Sequence, residues 1–165
     1  STEVMPRIDA DPFDLLFTCP PYYDLEQYSD DPADLSNADS YDDFRGAYRA
    51  IISAGVALLA PDSFAVIVIS DIRDERGIYR PLAADTIDAF REAGAELYNE
   101  AVLINMAGTL PIRVARAFTS MRKLGRTHQE VLVFVKGDPA VAFSFQVVLN
   151  EGGSFPTGRI VEADA

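Results

Sequence analysis

One run of apolar and β-branched residues, Ser63–Ser70 (SFAVIVIS), constrains the fold more than any other segment of the 165-residue chain. Such a run lacks the alternation of a strand with one solvated face and is typical of a strand covered on both faces, as in parallel sheets flanked by helices. A shorter apolar run, Asp14–Thr18, precedes it and is closed by two prolines, which cannot donate hydrogen bonds to a sheet. The two runs predict strands of an α/β sheet.

The segments around the second run have helical spacing. Ser40 is suited to be the N-cap of a first helix, which Pro61-Asp62 would end. A second helix is predicted with Pro81 in its first turn and with Gly94 after its last turn. Helices between consecutive strands favour right-handed crossovers and parallel strands.

Two further strands are predicted at Ala95–Met106 and Glu130–Lys136. The segment between them shows no full helical pattern and is predicted to be a long loop, which favours an antiparallel hairpin at one edge of the sheet. The sequence thus predicts an α/β fold with a mostly parallel sheet, an antiparallel edge hairpin and helices packed on the sheet.

Composition excludes several classes of protein. Apolar residues make up 48% and charged residues 24%, no apolar run approaches the roughly 20 residues of a membrane span, and the first residues do not resemble a secretory signal. We therefore expect a cytoplasmic protein without membrane association. One cysteine excludes an internal disulfide, and with a single histidine it argues against a zinc site, so no metal is expected.

The net charge of −12 argues against a nucleic-acid partner, because Lys and Arg are needed to neutralise phosphates. The charges are nevertheless separated along the chain: residues 8–44 hold 11 acids and no base, whereas residues 101–129 hold no acid. The second segment contains a basic cluster of Arg113, Arg116, Arg122, Lys123 and Arg126, with His128 beside it. This separation allows one basic face on an acidic body, and an ordinary solvated loop is the alternative.

The end of the first strand carries a motif. Phe17–Tyr23 (FTCPPYY) resembles the catalytic motif of DNA methyltransferases that modify exocyclic amino groups, in which a small polar residue precedes Pro-Pro and an aromatic residue. Most of residues 13–139, including DLLFTCPPYYDLEQYSDD and RKLGRTHQEVLVFVKGDP, is similar to phage and bacterial DNA methylases. The resemblance implies a partial Rossmann-like methyltransferase fold. Residues 1–139 would be its catalytic, substrate-side half, and residues 140–165 a C-terminal extension with an extra strand and a flexible tail.

The resemblance implies S-adenosylmethionine (SAM) as the cofactor and adenine N6 or cytosine N4 in DNA as the target. The lone pair of an exocyclic amine is delocalised into the ring, so a site must hold its hydrogens with acceptors. These would be the carbonyl of Pro20, before Pro21, and the side chain of Cys19, with Tyr22 stacking on a base flipped out of the duplex. The family usually has Asp, Asn or Ser at position 19. Because a thiol is a weaker acceptor, the target base stays open.

Other candidate site residues surround the motif. Family loops after the motif often close over the base, which makes Tyr23, Asp24 and Tyr28 candidate substrate-binding residues, with Asp30 nearby. Asp71 follows the SFAVIVIS strand, at the carboxyl end where open α/β sheets place their ligands. The basic cluster lies where the family often has target-recognition elements. Its members and His128 are therefore candidate DNA-binding residues.

The cofactor site of the family is not found in this sequence. Asp11-Pro12-Phe13 begins like the family's glycine-rich turn but has no following glycine, and Val147–Gly153 (VVLNEGG) is too close to Ala165 for the helix that should follow. We therefore expect the cofactor half to be encoded upstream. The edge of the strand Asp14–Thr18 would then be open, which predicts a homodimer, pairing with the missing half, or a tail folded onto that edge through Val141–Leu149.

Alternatives remain at this point. Similar Pro-Pro-Tyr motifs occur in enzymes that methylate RNA guanine or protein glutamine, although the basic cluster favours DNA. A non-catalytic methyltransferase-like domain that binds nucleic acid or a partner would also fit the missing turn. A generic nucleotide-binding domain is disfavoured, because the chain has no Gly-Lys-Ser or Gly-Lys-Thr loop. A role in restriction-modification, phage self-protection or regulation is left open.

Overall fold

The structure is a computed structural model that describes Met5, Ile8 and residues 11–25, 28–31, 34–106, 108, 110–142 and 160–162. Its helices and strands in chain order are β1 (Phe13–Thr18), α1 (Tyr41–Leu58), β2 (Leu59–Ile69), β3 (Ile72–Arg73), β4 (Tyr79–Arg80), α2 (Leu82–Glu92), β5 (Glu96–Ile104), α3 (Leu110–Met121), β6 (His128–Lys136), α4 (Pro139–Ala142) and β7 (Ile160–Glu162). Short 3-10 turns lie at Tyr23–Leu25 and Leu35–Asn37. Within these residues, no helix is both long enough and apolar enough to cross a membrane.

Five strands form one mixed sheet in the order β5–β6–β2–β1–β7. β1 pairs in parallel with β2 and β7, whereas β6 pairs antiparallel with both β2 and β5. β1, β2, β5 and β7 therefore run in one direction, and β6 runs in the other. The predicted α/β fold, with a mostly parallel sheet and an antiparallel hairpin at one edge, is confirmed. Within that hairpin β5 is the outer strand, and β6 lies between it and β2.

Helix α1 begins at the predicted place. Ser40 has an extended backbone, and its hydroxyl accepts a hydrogen bond of 3.1 Å from the N–H of Asp43. Asp42 and Asp43 lie in the first turn, where negative charge is favoured by the helix dipole.

The predicted end of α1 at Pro61-Asp62 is wrong. The helix ends at Leu58, and β2 starts at the next residue, so Pro61 and Asp62 belong to the strand. The pairing of β2 with β1 shifts register over this stretch, and Asp62 has a φ of 55°. An irregular strand start of this kind tolerates a proline, because regular ladder bonds are interrupted there.

Helix α2 is capped from outside its own sequence. Pro81 is the N-cap rather than a first-turn residue, and its side chain makes no capping bond. The carboxylate of Asp71 takes that role, since its Oδ1 accepts a 3.0 Å hydrogen bond from the N–H of Ala83. Gly94 follows the last turn with a φ of 90°, a left-handed conformation that favours glycine, as predicted.

The core lies between the sheet and the pair α1 and α2. Leu16, Ala65, Ile67 and Ile69 are buried there, and α1 contributes the fully buried Phe44. The other face of β2, with Phe64, Val66 and Val68, is only half-buried. Only the face of β2 that the helices cover is buried. The prediction of a strand covered on both faces is therefore confirmed for that face alone. Each large apolar side chain buried in this core contributes about 1.5–3 kcal/mol relative to its exposed state.

The predicted loop between β5 and β6 is partly helical, which is a correction. Helix α3 spans Leu110–Met121. Val114, Ala117, Phe118 and Met121 recur at the spacing of one helical face, a signal that is short and interrupted by charged residues.

The edge of β1 is paired, although not by the segment that the sequence suggested. Leu15–Phe17 pairs in parallel with Ile160–Glu162 of β7. Val141 and Ala142 lie in the short helix α4, and residues 143–149 lie outside the described residues. The tail thus supplies a strand at this edge, but that strand begins eleven residues after the end of the predicted segment Val141–Leu149.

Candidate functional site

The motif Cys19–Tyr22 follows the carboxyl end of β1 directly. Pro20 and Pro21 are buried, whereas Cys19 is exposed and Tyr22 is half-buried. Neither proline has an N–H, so the strand stops without leaving an unpaired buried donor. The chain therefore leaves the sheet at the motif, and Tyr22 lies four residues beyond the end of β1.

An open depression of about 290 Å³ lies at this end of the sheet. Its walls come from the residues that follow β1, β2 and β5 and from the start of the antiparallel β6, namely Tyr22, Leu25, Ser70, Asp71, Ile72, Asn105, Arg126, His128 and Gln129. We call it the Tyr22 depression. It lies outside the carboxyl ends of the parallel strands, where open α/β sheets bind ligands.

Four residues that the sequence proposed separately meet in this depression: Tyr22, Asp71, Arg126 and His128. They come from three different parts of the chain. Asp71 lies 49 residues after Tyr22, and Arg126 lies 55 residues after Asp71. Tertiary structure therefore joins the motif, the end of β2 and the end of the basic cluster in one place.

Arg126 organises the charged wall of the depression. It is ion-paired with Glu130, its Nε donates a 3.3 Å hydrogen bond to Nε2 of His128, and its Nη1 lies 3.9 Å from Oδ2 of Asp71. Nε2 of His128 also lies 3.7 Å from Oε1 of Glu130, so the three side chains form one cluster. Within the described part, Arg126 Nη1 and Glu130 Oε2 are buried atoms that have no hydrogen-bond partner.

Two hydrogen bonds made by amide side chains hold the side of the depression that Tyr22 forms. Gln129 Nε2 donates a 2.6 Å hydrogen bond to the hydroxyl of Tyr22. Asn105 Nδ2 lies 3.5 Å from Oε1 of the same Gln129 and donates to it. The ring of Tyr22 is thus tied through its hydroxyl to β6 and, through Gln129, to the residue that follows β5.

The three candidate residues that follow Tyr22 lie elsewhere. Tyr23 is buried, has a φ of 54°, and packs in the core against Tyr41 and Phe44 with ring centroids 5.7 and 5.5 Å away. Its ring does not line the Tyr22 depression. Asp24 is exposed and lies 3.4 Å from the guanidinium of Arg80.

Tyr28 is exposed, and its N–H donates a 3.4 Å hydrogen bond to the hydroxyl of Ser36. Asp30 is exposed nearby. Neither residue lines the Tyr22 depression, so both belong to the loop before α1 in this structure.

The core beside Tyr23 contains two tyrosines with raised pKa values. Burial, followed by the hydrogen bond that its hydroxyl donates to Asp85, raises the pKa of Tyr41 well above its ordinary value. Burial also raises the pKa of Tyr48, whose hydroxyl lies 3.1 Å from that of Thr86. Both phenols therefore stay neutral over the physiological range.

The basic cluster divides between a helix, a loop and a strand. Arg113 and Arg116 lie on α3, Arg122, Lys123 and Arg126 follow that helix, and His128 begins β6. Arg122 is exposed with a φ of 56°, and its guanidinium lies 5.3 Å from the ring of Phe118. The side chain of Lys123 passes close to Gly77, in the turn between β3 and β4. Of the cluster and His128, the depression includes Arg126 and His128.

Sequence reasoning missed three polar residues of the site: Asn105, Gln129 and Glu130. Each lies at or next to the end of a strand, where polar residues are common. Their role depends on the register in which Leu103 pairs with Gln129 and Ile69 pairs with Glu130. The close spacing of Arg126, His128 and Glu130 was the available signal, since side chains two apart on a strand share a face.

The segments that would supply a glycine-rich turn for SAM lie outside the described residues. The resemblance places the glycine-rich turn after the strand beside β1, which in this structure is β7, and the residues after Glu162 lie outside the described part. Val147–Gly153 lies outside it as well. The described glycines with positive φ lie after β3, α2, β5 and β6. No cluster of three His, Cys, Asp or Glu residues among the described residues could hold a metal.

The similarity of this chain to known proteins lies in its structure. No family model matches the sequence, and no curated protein matches it. TTHA0409 of Thermus thermophilus, provisionally described as a DNA modification methylase, shares 19% identity with a TM-score of 0.60 over 83% of this chain and 50% of its own. The same values hold for its complex with SAM, with 51% of that chain covered.

A second similar structure is the cytosine-N4-specific PvuII DNA methyltransferase, with 14% identity and a TM-score of 0.59 over 82% of this chain and 46% of the other. The chain therefore shares the fold of these methyltransferases. It spans about half the length of the structures that it matches. At these sequence identities the similarity shows the fold alone and assigns no role to the site residues.

Proposed function

We propose that this chain is the substrate-binding half of a SAM-dependent DNA methyltransferase that modifies the exocyclic amino group of adenine (N6) or cytosine (N4). One observation carries the proposal: Tyr22 of the CPPY motif lines a depression at the carboxyl ends of the strands, together with Asp71, Arg126 and His128. The shared fold with two DNA methyltransferases supports it.

The motif supplies the groups that an amino substrate needs. The carbonyl of Pro20 would accept one amino hydrogen and so help the nitrogen direct its lone pair out of conjugation. Proline suits this position because its carbonyl has no neighbouring N–H of its own to compete. The exposed Cys19 is small and lets the base approach, and its thiol is at most a weak acceptor.

Tyr22 would hold the flipped base by stacking. The ring is half-buried and tied by its hydroxyl, so little rotamer entropy remains to be lost on binding. Stacking of a base on an aromatic side chain contributes about 1–3 kcal/mol. The volume of about 290 Å³ is near the lower end, about 300 Å³, of small-molecule sites.

DNA would approach across the basic segment. Arg113 and Arg116 on α3, and Arg122 and Lys123 after it, would contact phosphates, while Arg126 and His128 line the depression. Phosphate contacts position a duplex without reading its sequence. Tyr23, Asp24 and Tyr28 would contribute to the substrate site only through a different arrangement of their loop.

SAM, when bound, supplies an electrophilic methyl group. Its binding elements would belong to the other half of the fold, which accounts for about half of the similar structures. Pairing with that half, or with a second copy, is part of the proposal. Since β7 already pairs with Leu15–Phe17, a partner strand would have to add beyond β7 or at another edge.

A non-catalytic function is the second candidate. The sequence has no glycine directly after Asp11-Pro12-Phe13, where the family's turn would begin, and this favours a domain that binds DNA without transferring a methyl group. Two measurements separate the candidates. The first is a calorimetric titration of SAM into the chain, and the second is incubation with tritiated SAM and unmethylated DNA, followed by chromatography of the nucleosides.

Label in N6-methyladenine or N4-methylcytosine would establish the catalytic function and the target base. DNA binding without SAM binding or label would support the non-catalytic candidate for the isolated chain. Label in 5-methylcytosine, in RNA or in protein would overturn the proposed substrate class.

A further inference from the structure

The hydrogen bond between Gln129 and Tyr22 links two segments 107 residues apart. Gln129 lies in β6, where its neighbours are fixed by pairing on both sides: Leu103 of β5 pairs with Gln129, and Ile69 of β2 pairs with Glu130. Tyr22, by contrast, lies in the connection after β1 that has no regular secondary structure. Strand β6, which is paired on both sides, therefore holds the Tyr22 side chain of a less regular segment through Gln129.

The orientation of the Gln129 amide follows from its two partners. Asn105 can donate through Nδ2, and the amide atom nearest to it is Oε1 of Gln129, at 3.5 Å. With the oxygen facing Asn105, the NH₂ group faces Tyr22 and donates to its hydroxyl. In this arrangement the NH₂ end of the Gln129 amide points at the motif and its oxygen at Asn105.

We infer that Gln129 is a positioning residue for the base-binding ring of Tyr22, with Asn105 orienting the Gln129 amide. The inference rests on the proposed function. A phenol ring attached through two rotatable bonds can swing about χ1 and χ2, and a bond to its far end removes this freedom. The ring is thereby held as a fixed wall of the depression before a base arrives. Gln129 need not touch the base, and its effect on binding passes through Tyr22.

The test measures binding of a single-stranded oligonucleotide that carries one fluorescent 2-aminopurine base. Affinity is followed by anisotropy, and stacking on Tyr22 is followed by quenching of the 2-aminopurine fluorescence. Gln129→Leu and Tyr22→Phe are each expected to weaken binding about threefold to tenfold, the equivalent of one hydrogen bond. Gln129→Asn keeps the amide but shortens it by one methylene, and it is expected to behave like Gln129→Leu.

The decisive comparison is the double variant. In the Tyr22→Phe background, Gln129→Leu should change neither affinity nor quenching, because its acceptor is already gone. Additive losses would overturn the inference, since they would show that Gln129 acts independently of Tyr22. Asn99→Leu, at an exposed position of β5, serves as the matched control and should leave both readouts unchanged.

Tyr22→Ala separates failure of this inference from failure of the proposed function. If Tyr22→Ala abolishes quenching while Gln129→Leu leaves it intact, the ring binds the base without help from Gln129, and only the positioning role is overturned. If Tyr22→Ala changes neither readout, the proposed base-binding function is itself wrong. Unfolding curves of all variants show whether each retains the fold.

Discussion

The guanidinium of Arg126 lies 3.9 Å from the carboxylate of Asp71, at the wall of the Tyr22 depression. Asp71 follows β2 and Arg126 precedes β6, and the antiparallel pairing of β6 with β2 brings the two residues together. Arg126 also pairs with Glu130, whose side chain is 14% exposed. The charged wall is thus held by one guanidinium between two carboxylates.

Removing Arg126 should destabilise the protein, because the largely buried carboxylate of Glu130 would lose its arginine partner. Arg126→Met is expected to lower the free energy of unfolding by about 3 kcal/mol, as for other broken buried pairs. Arg126→Met combined with Glu130→Met should recover most of the loss, because both charges are gone. Urea unfolding measures the free energy of unfolding of both variants. A double variant that loses as much stability as Arg126→Met, or more, would contradict this account of the pair.

The buried contact between Tyr48 and Thr86 predicts an asymmetric effect of substitution. Thr86 Oγ1 donates to the carbonyl of Leu82 at 2.7 Å, so the Tyr48 hydroxyl must donate in its 3.1 Å contact with Thr86. Thr86→Val leaves a buried phenol hydroxyl unpaired and should cost about 1–3 kcal/mol, whereas Tyr48→Phe should cost about 1 kcal/mol or less. Chemical denaturation at neutral pH measures the two. A larger loss for Tyr48→Phe would show that the donor has been assigned wrongly.

Alkaline pH should weaken the fold through Tyr41 and Tyr48. Burial raises the pKa of both phenols above their ordinary value of 10.0, so above that pH the folded state retains protons that the unfolded chain releases. Their contribution is complete below pH 10 and is lost as the pH rises further. The free energy of unfolding, measured from pH 8 upwards, should therefore begin to fall near pH 10, and less steeply in Tyr41→Phe and Tyr48→Phe. The same slope in both variants and the wild type would refute this linkage.

The basic segment after α3 should determine how binding depends on salt. Replacing Arg122 and Lys123 together with Ala removes two candidate phosphate contacts, which should weaken DNA binding and make the slope of log K against log salt shallower by about 2. Arg91→Ala, an exposed change at the end of α2, is the matched control. An unchanged slope in the double variant would remove these residues from the DNA interface.

Strand and helix positions were predictable where the pattern is long and apolar. Ser63–Ser70 is the clearest case, and Ser40 marked the start of α1 through a local hydrogen bond. The end of α1 and the strand β7 were not predictable, because they depend on an irregular register with β1 and on three residues far along the chain. Helix α3 was not predicted, because its apolar spacing covers only Val114 to Met121.

The motif around Tyr22 was visible in the sequence because its residues are contiguous. The contribution of Asp71 could be expected from its place after a central strand, since ligands bind at such strand ends. Gln129 and Asn105 were hidden, because only the pairing of β5 with β6 brings them to the motif. Tyr23 was expected at the substrate site and instead packs in the core. Its position depends on a positive backbone φ at Tyr23, which the sequence does not show.

The most direct test of the base-binding claim compares two DNA duplexes that differ at one base pair. Proteins that flip a base bind a mismatched target more tightly, because less pairing energy is lost. We predict that the chain binds a duplex with a mismatched adenine or cytosine about tenfold more tightly than the matched duplex. Tyr22→Ala should lose this preference, while Tyr79→Ala, at an exposed tyrosine on β4 outside the depression, should keep it. Equal affinity of the wild type for both duplexes, or a preference that survives Tyr22→Ala, would contradict the proposal that the Tyr22 depression receives a flipped base.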